Sequence, residues 1–277
     1  MLRSLMITAA CGLSLAAQSF PMVPLDEAPG RGDWKVNLGA MVLATPRAPG
    51  SEETRVIPLP VFSAEHKDTL YLGSSRVGVG FGGGIHALHG EHLTWDLGLG
   101  VGENRRESRA DTLAGMGDRG PSVFAGTALR LKAGILHGSL SLAAGLKDEA
   151  GLRSTLSLGV GGPLGGRWFG GLSASATARD AKGMAFDFGI DPGQAAIRTA
   201  LLASGDPRLR PGENRVWSPK GGLQDVALGA HLNYFVDTHW QWFGIVRATQ
   251  LQGDAKSSPL TRQADSLTFG AGFTYRF

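Results

Sequence analysis

The chain has 277 residues, 42 of them glycine, with 18% charged residues and a formal net charge of +3. Glycine at about twice the roughly 7% average and charge below the usual roughly 25% come with no collagen-like or linker-like period. The charge balance argues against a nucleic-acid partner, and no apolar run reaches the ~20 residues a membrane helix needs, which leaves strand-based membrane proteins open.

From the start, Met1 to Ser19 reads as a secretory signal peptide: Arg3 is its positive end, Leu5 to Ala17 its apolar core, and Ala17-Gln18-Ser19 its cleavage site. Residues 20–33 then form a short periplasmic segment. The single cysteine, Cys11, lies inside the signal, so the mature chain has no thiol for disulfides, thiolate catalysis or metal ligation.

Beyond residue 33 the dominant pattern is strict alternation, the period of a strand with two unlike faces. Trp34, Val36, Leu38, Ala40 and Val42 oppose Lys35, Asn37 and Gly39. The segments Arg55 to Ala64 and Thr69 to His86 are less regular, and Pro58 and Pro60 are awkward for a central strand because proline cannot donate to a ladder. Alternation resumes at Leu93 to Val101, Val123 to Leu131, Leu152 to Val160, Trp168 to Arg179, Val226 to Tyr234 and Trp240 to Thr249. It ends in Leu267, Phe269, Ala271, Phe273, Tyr275 and Phe277, set against Ser266, Thr268, Gly270, Gly272, Thr274 and Arg276. The polar parity carries small residues and arginine, almost never leucine.

A β-sandwich also alternates, but these strands are long. Ten residues rise roughly 33 Å, and a ~45° tilt projects that to about 23 Å, near the ~25 Å apolar band of an outer-membrane barrel. Tryptophans and other aromatics near strand ends suit the lipid head groups. Connectors counted back from the C-terminus alternate long and short: 253–263, 237–239, 180–222, 161–165, 147–151, 133–134, 103–120 and 88–91. The reading is an all-β antiparallel transmembrane barrel over 34–277, in the outer membrane of a Gram-negative cell, with the C-terminus periplasmic and 180–222 as a long extracellular loop. Twelve strands follow if Thr69 to His86 breaks near Gly73-Ser74-Ser75, and ten if early segments merge.

The inward parity holds Arg130, Lys132, Arg153, Arg167, Arg179, Asp225, His231, Arg247 and Arg276 as possible lumen-lining residues. Two readings stay open: an anion-attracting lumen, or cross-strand pairing with Asp96 and Asp225 that knits the interior. The stretches Gly78 to Gly84 and Gly159 to Gly166 lack the Gly-Lys-Ser/Thr of a phosphate cradle, so no cofactor is expected. His86, His89 and His92 straddle an expected turn and read as turn residues. His231 with Asp225 or Ser173 is the nearest approach to a hydrolytic set, without a nucleophile motif around it.

Several ordered pieces then resemble the MipA/OmpV family (MltA-interacting protein) of outer-membrane proteins. They are Arg55-Val56-Ile57-Pro58-Leu59-Pro60, Asn104-Arg105-Arg106-Glu107-Ser108, Leu113 to Asp118, Phe186-Asp187-Phe188-Gly189-Ile190, Gly253 to Pro259 and Gly272 to Phe277. The resemblance implies a non-enzymatic scaffold joining a lytic transglycosylase to a peptidoglycan synthase. A small-solute channel and a surface adhesin or antigen are the alternatives, and an outer-membrane hydrolase is the least favoured. The terminal Phe273, Tyr275 and Phe277 also resemble the aromatic signal read by the barrel assembly machinery before insertion into outer-membrane lipid.

Overall fold

In the computed structural model, which describes residues 33–102 and 104–277, twelve antiparallel strands close into a barrel. The expected signal peptide and all of the 20–33 segment except Asp33 lie outside the described residues. The strands are β1 (Trp34–Pro46), β2 (Thr54–His66), β3 (Leu70–Ser74), β4 (Phe81–His89), β5 (Leu93–Val101) and β6 (Val123–Ala133). They continue as β7 (Leu136–Gly145), β8 (Leu152–Gly165), β9 (Trp168–Arg179), β10 (Gly222–Phe235), β11 (Trp240–Leu251) and β12 (Asp265–Arg276). Each pairs with its neighbours in sequence, and β12 returns to β1, from Asn37 opposite Arg276 to Ala44 opposite Phe269.

The two parities sort as a membrane wall requires. Val42, Leu99, Leu129, Leu158, Leu228 and Phe269 are exposed on the outside, while Asn37, Asp96, Thr155, Thr177, Asp225 and Thr274 are buried within. A sandwich would bury the first set, so the long apolar alternation belongs to a barrel facing lipid. Connections at one end are long (47–53, 75–80, 102–122, 146–151, 180–221, 252–264), and those at the other are short (67–69, 90–92, 134–135, 166–167, 236–239).

The break expected near Gly73-Ser74-Ser75 is found there: β3 ends at Ser74 and the connection runs over 75–80. Two local readings change. Gly161 to Gly165, read as a turn, belongs to β8, whose register slips between Pro163 and Gly165, and the turn is 166–167. Glycine and proline there mark a bulge instead of a chain reversal. Pro58 and Pro60 do sit in a strand, opposite Val42 and Ala40 of β1, because the other flank of β2 carries a strand only at Ala64–His66. A missing amide proton on that flank breaks no ladder bond.

Candidate functional site: the cap and the lumen

The long connections are packed against one another in a cap over one barrel mouth. In 180–221, α1 (Ala181–Phe188) starts where Asp180 Oδ1 accepts from the Gly183 amide at 2.8 Å. Next, α2 (Pro192–Ala203) starts with a capping box: Asp191 Oδ1 accepts from the Gln194 amide at 2.8 Å and Gln194 Oε1 from the Asp191 amide at 3.1 Å, with proline at the first turn. A short α3 (Gly253–Lys256) lies in the last long connection.

Pieces scattered along the sequence meet here. Met116, Ile190, Ala195 and Leu260 form one buried cluster; Met184, Phe188, Leu251 and Ala255 form another. Arg105 donates to the Phe186 carbonyl at 2.9 Å and to the Met116 carbonyl at 3.2 Å, and Ser258 Oγ donates to the Phe188 carbonyl at 2.7 Å. Burial first, then the neighbouring Arg119 charge, brings the Arg105 guanidinium down to about 10. These contacts join the segments around Asn104, Leu113, Phe186 and Gly253 that carried the family resemblance. Sequence periodicity had no means of revealing them, since each is a loop-to-loop contact.

At the centre stands Arg198 of α2, fully buried. It donates to the carbonyls of Glu213 (2.8 Å), Thr112 (3.0 Å) and Ala114 (2.6 Å), and its guanidinium lies 3.7 Å from the Glu213 carboxylate. Glu213 in turn accepts from Arg262 at 2.6 and 2.9 Å. Burial alone would raise the Glu213 carboxyl, but the Arg262 hydrogen bonds, the Arg210 amide and the charges of Arg262 and Arg198 hold it below its ordinary value.

A carboxyl lowered by folding adds stability above its unfolded value, and that contribution disappears as pH falls through the folded value. The cap is therefore expected to stay closed at neutral pH and to loosen below the ordinary carboxylate range, about pH 4. Hydrogen-exchange protection of 198–214 should fall there in the native protein, and be low at every pH in Glu213→Gln. Equal protection of the native cap at neutral and acid pH would refute this.

Beneath the cap the lumen is filled by side chains. The connection between β3 and β4 turns inward: Val77 and Val79 are buried, and a Cβ on Gly126 of β6 would lie 3.1 Å from Val77 Cβ. Towards the short-turn end, Asp96 of β5 accepts from Arg130 Nε at 2.7 Å and lies 2.5 Å from His86 Nδ1. The other ring nitrogen of His86 is 2.8 Å from Glu65 of β2, and Arg76 stands over the Tyr71 ring at 5.1 Å. His86, expected in a turn, is thus a buried strand residue in a polar network spanning four strands.

The remaining residues singled out in the sequence are dispersed. Arg247 is buried and donates to Ser175 Oγ at 3.1 Å; Arg276 donates to Asn37 at 3.3 Å. Arg179 pairs with Asp187 of α1 at 2.6 Å, and both line a small cavity with Arg153 under the cap. Lys132 is exposed at the short-turn end, and Arg167 sits in the turn itself, donating to the Val236 carbonyl at 2.5 Å. Asp225 is buried beside Gln224, which donates to it at 2.7 Å. His231 stacks on Phe169 at 6.4 Å, six residues along β10 from Asp225, a separation of about 20 Å. Ser173 faces Gly229 and makes no recorded bond to His231, so these three do not assemble as a hydrolytic set. Among the described residues no group of three or more His, Cys, Asp or Glu is placed to hold a metal. Phe273, Tyr275 and Phe277 gather with Trp240 and Trp242 at the short-turn end, with ring centroids 4.8 to 5.8 Å apart.

A family model described as MltA-interacting protein MipA matches residues 38–277. No curated protein matches the chain. Among solved structures the chain is similar to the NanC porin, at 8% identity and a TM-score of 0.43, covering 87% of this chain and 100% of that one. It is similar also to OprB of Pseudomonas putida, at 6% and 0.42, covering 88% and 94%. A third is the KdgM porin in complex with disordered oligogalacturonate, at 10% and 0.37, covering 88% and 99%.

Proposed function

The chain belongs to the MipA family, and from that premise we propose that it is an outer-membrane barrel serving as a docking scaffold for peptidoglycan-remodelling enzymes. A lytic transglycosylase of the MltA kind is the first partner, with a peptidoglycan synthase as the second. The cap faces outward, and the short turns and C-terminus face the periplasm, as long and short connections do in such barrels. The docking surface is then the short-turn rim. It presents the exposed His89, Glu91, His92 and Lys132, and the ion pairs Lys35–Asp68 (2.7 Å) and Lys67–Asp33 (3.0 Å).

The observation that carries this reading over a channel is the filled lumen. Ser141, Thr155, Thr177, Asn233, Gln241 and Arg247 point inward and are buried, whereas a water-filled pore would leave them wet. Affinity capture from detergent extracts at native expression should retain a lytic transglycosylase and a peptidoglycan synthase with the barrel. Loss of both partners, when each is detectable in the extract, would overturn the scaffold. Stepwise conductance in planar bilayers would replace it with a channel.

A further inference from the structure

We propose that the cavity between the cap and the barrel wall, at Arg153 and Arg179, binds one monatomic anion of the size of chloride, which ties α1 to β8 and β9.

The ladder of β8 and β9 begins with Arg153 directly opposite Arg179, so two guanidiniums share one cross-strand position on the lumen face. Like charges so placed are destabilising, and a counter-charge must join them. Both are almost wholly withdrawn from water: Arg153 is 7% exposed and the Arg179 side chain 9%. From the cap, Asp187 of α1 reaches Arg179 Nη1 at 2.6 Å, and the same nitrogen donates to the Gly183 carbonyl at 3.1 Å. Arg179 Nε is left buried with no acceptor. A charged donor in that position is costly, and an anion beside it removes the cost.

The cavity lies against this pair. Arg153, Arg179 and Asp187 line it together with the apolar side chains of Val79, Phe124 and Phe186. Its charged wall is thus two guanidiniums to one carboxylate, in surroundings where a charge is felt more strongly than in water. Two more guanidiniums attend Phe186: Arg105 and Arg119 donate to its carbonyl at 2.9 and 3.0 Å, and Arg119 lies 5.0 Å over its ring. The cavity volume, about 20 Å³, exceeds the roughly 10–15 Å³ that admits one water. That suits a single halide ion, whereas phosphate or sulfate, with four oxygens about a centre, is too large. A metal cation is repelled by the same wall. A water would accept from Nε but leave the two charges facing each other.

An ion held only under the closed cap slows exchange of the α1 amides by mass action, roughly tenfold at ten times its dissociation constant. Hydrogen exchange of 181–188 is therefore followed in the native barrel, in detergent at constant ionic strength, as sodium chloride replaces sodium gluconate. Exchange should slow several-fold and saturate, with sodium bromide acting like chloride. Arg153→Gln should abolish the dependence, and Asp187→Asn, which removes the competing negative charge, should move its midpoint to lower chloride. Both variants are used only if they keep heat-modifiable gel mobility. Equal exchange in chloride and gluconate, sulfate protecting as well as chloride, or an unchanged midpoint in Arg153→Gln would each overturn the site. If neither variant folds, crystals of the native protein grown in bromide decide it. The anomalous peak must stand within hydrogen-bonding reach of Arg179 Nε, and an adventitious ion only, away from that atom, sinks the proposal. None of these readouts involves a peptidoglycan enzyme, so the scaffold reading stands or falls apart from them.

Discussion

Arg198→Met is expected to loosen the cap by about 3–5 kcal/mol while leaving the barrel closed, the scale of removing one partner from a buried charged pair. Methionine keeps much of the side chain's length and apolar stem but donates nothing. The carbonyls of Thr112, Ala114 and Glu213 lose their donor together, and they belong to two different connections, 102–122 and 180–221. An orphaned buried acceptor costs roughly 1–3 kcal/mol, so three of them account for the loss without invoking the ion pair. The variant should keep its heat-modifiable mobility, since the ladder is untouched. Protease should cut within 104–118 and 192–214 far faster than in the native protein. Unchanged cleavage would mean that the cap is held by its apolar clusters alone.

Asp96→Ala should lower barrel stability by about 3–5 kcal/mol, read as a shift of the urea midpoint in vesicles followed by tryptophan fluorescence. Asp96 is fully buried and serves both Arg130 and His86. Its loss leaves a guanidinium on β6 and an imidazole on β4 facing a methyl group. Arg130→Met combined with Asp96→Ala should recover part of the loss, because the stranded charge goes with its partner. Additive losses in the double variant would show that the two residues act separately.

The wall was legible in the sequence because its physics is local. Leu93 to Val101 or Leu267 to Phe277 alternates by itself, and connector lengths orient one strand after another. Readings went astray where one residue type serves two purposes. The glycines at 161–165 looked like a turn and instead form a bulged strand end. The expectation that large apolar residues occupy one parity only failed at Met41, Leu43, Leu59 and Val61, which line the interior. His86 read as a turn residue because its partners, Glu65 and Asp96, lie on other strands. The cap was least visible: a buried arginine held by carbonyls 84 and 86 residues away leaves no periodic trace.

The junction of β1 with β12 has a kinetic meaning. Every other pairing joins consecutive strands, so eleven of the twelve ladders can zip from hairpins as the chain advances. The last joins residues as far apart as Asn37 and Arg276, 239 positions. Each doubling of loop length adds only roughly 0.6 kcal/mol of closure entropy, so this ring closure costs about 2 kcal/mol more than one tenfold shorter. Nucleating the sheet is thus a matter for neighbours, and the final zip must wait for the last residues of the chain.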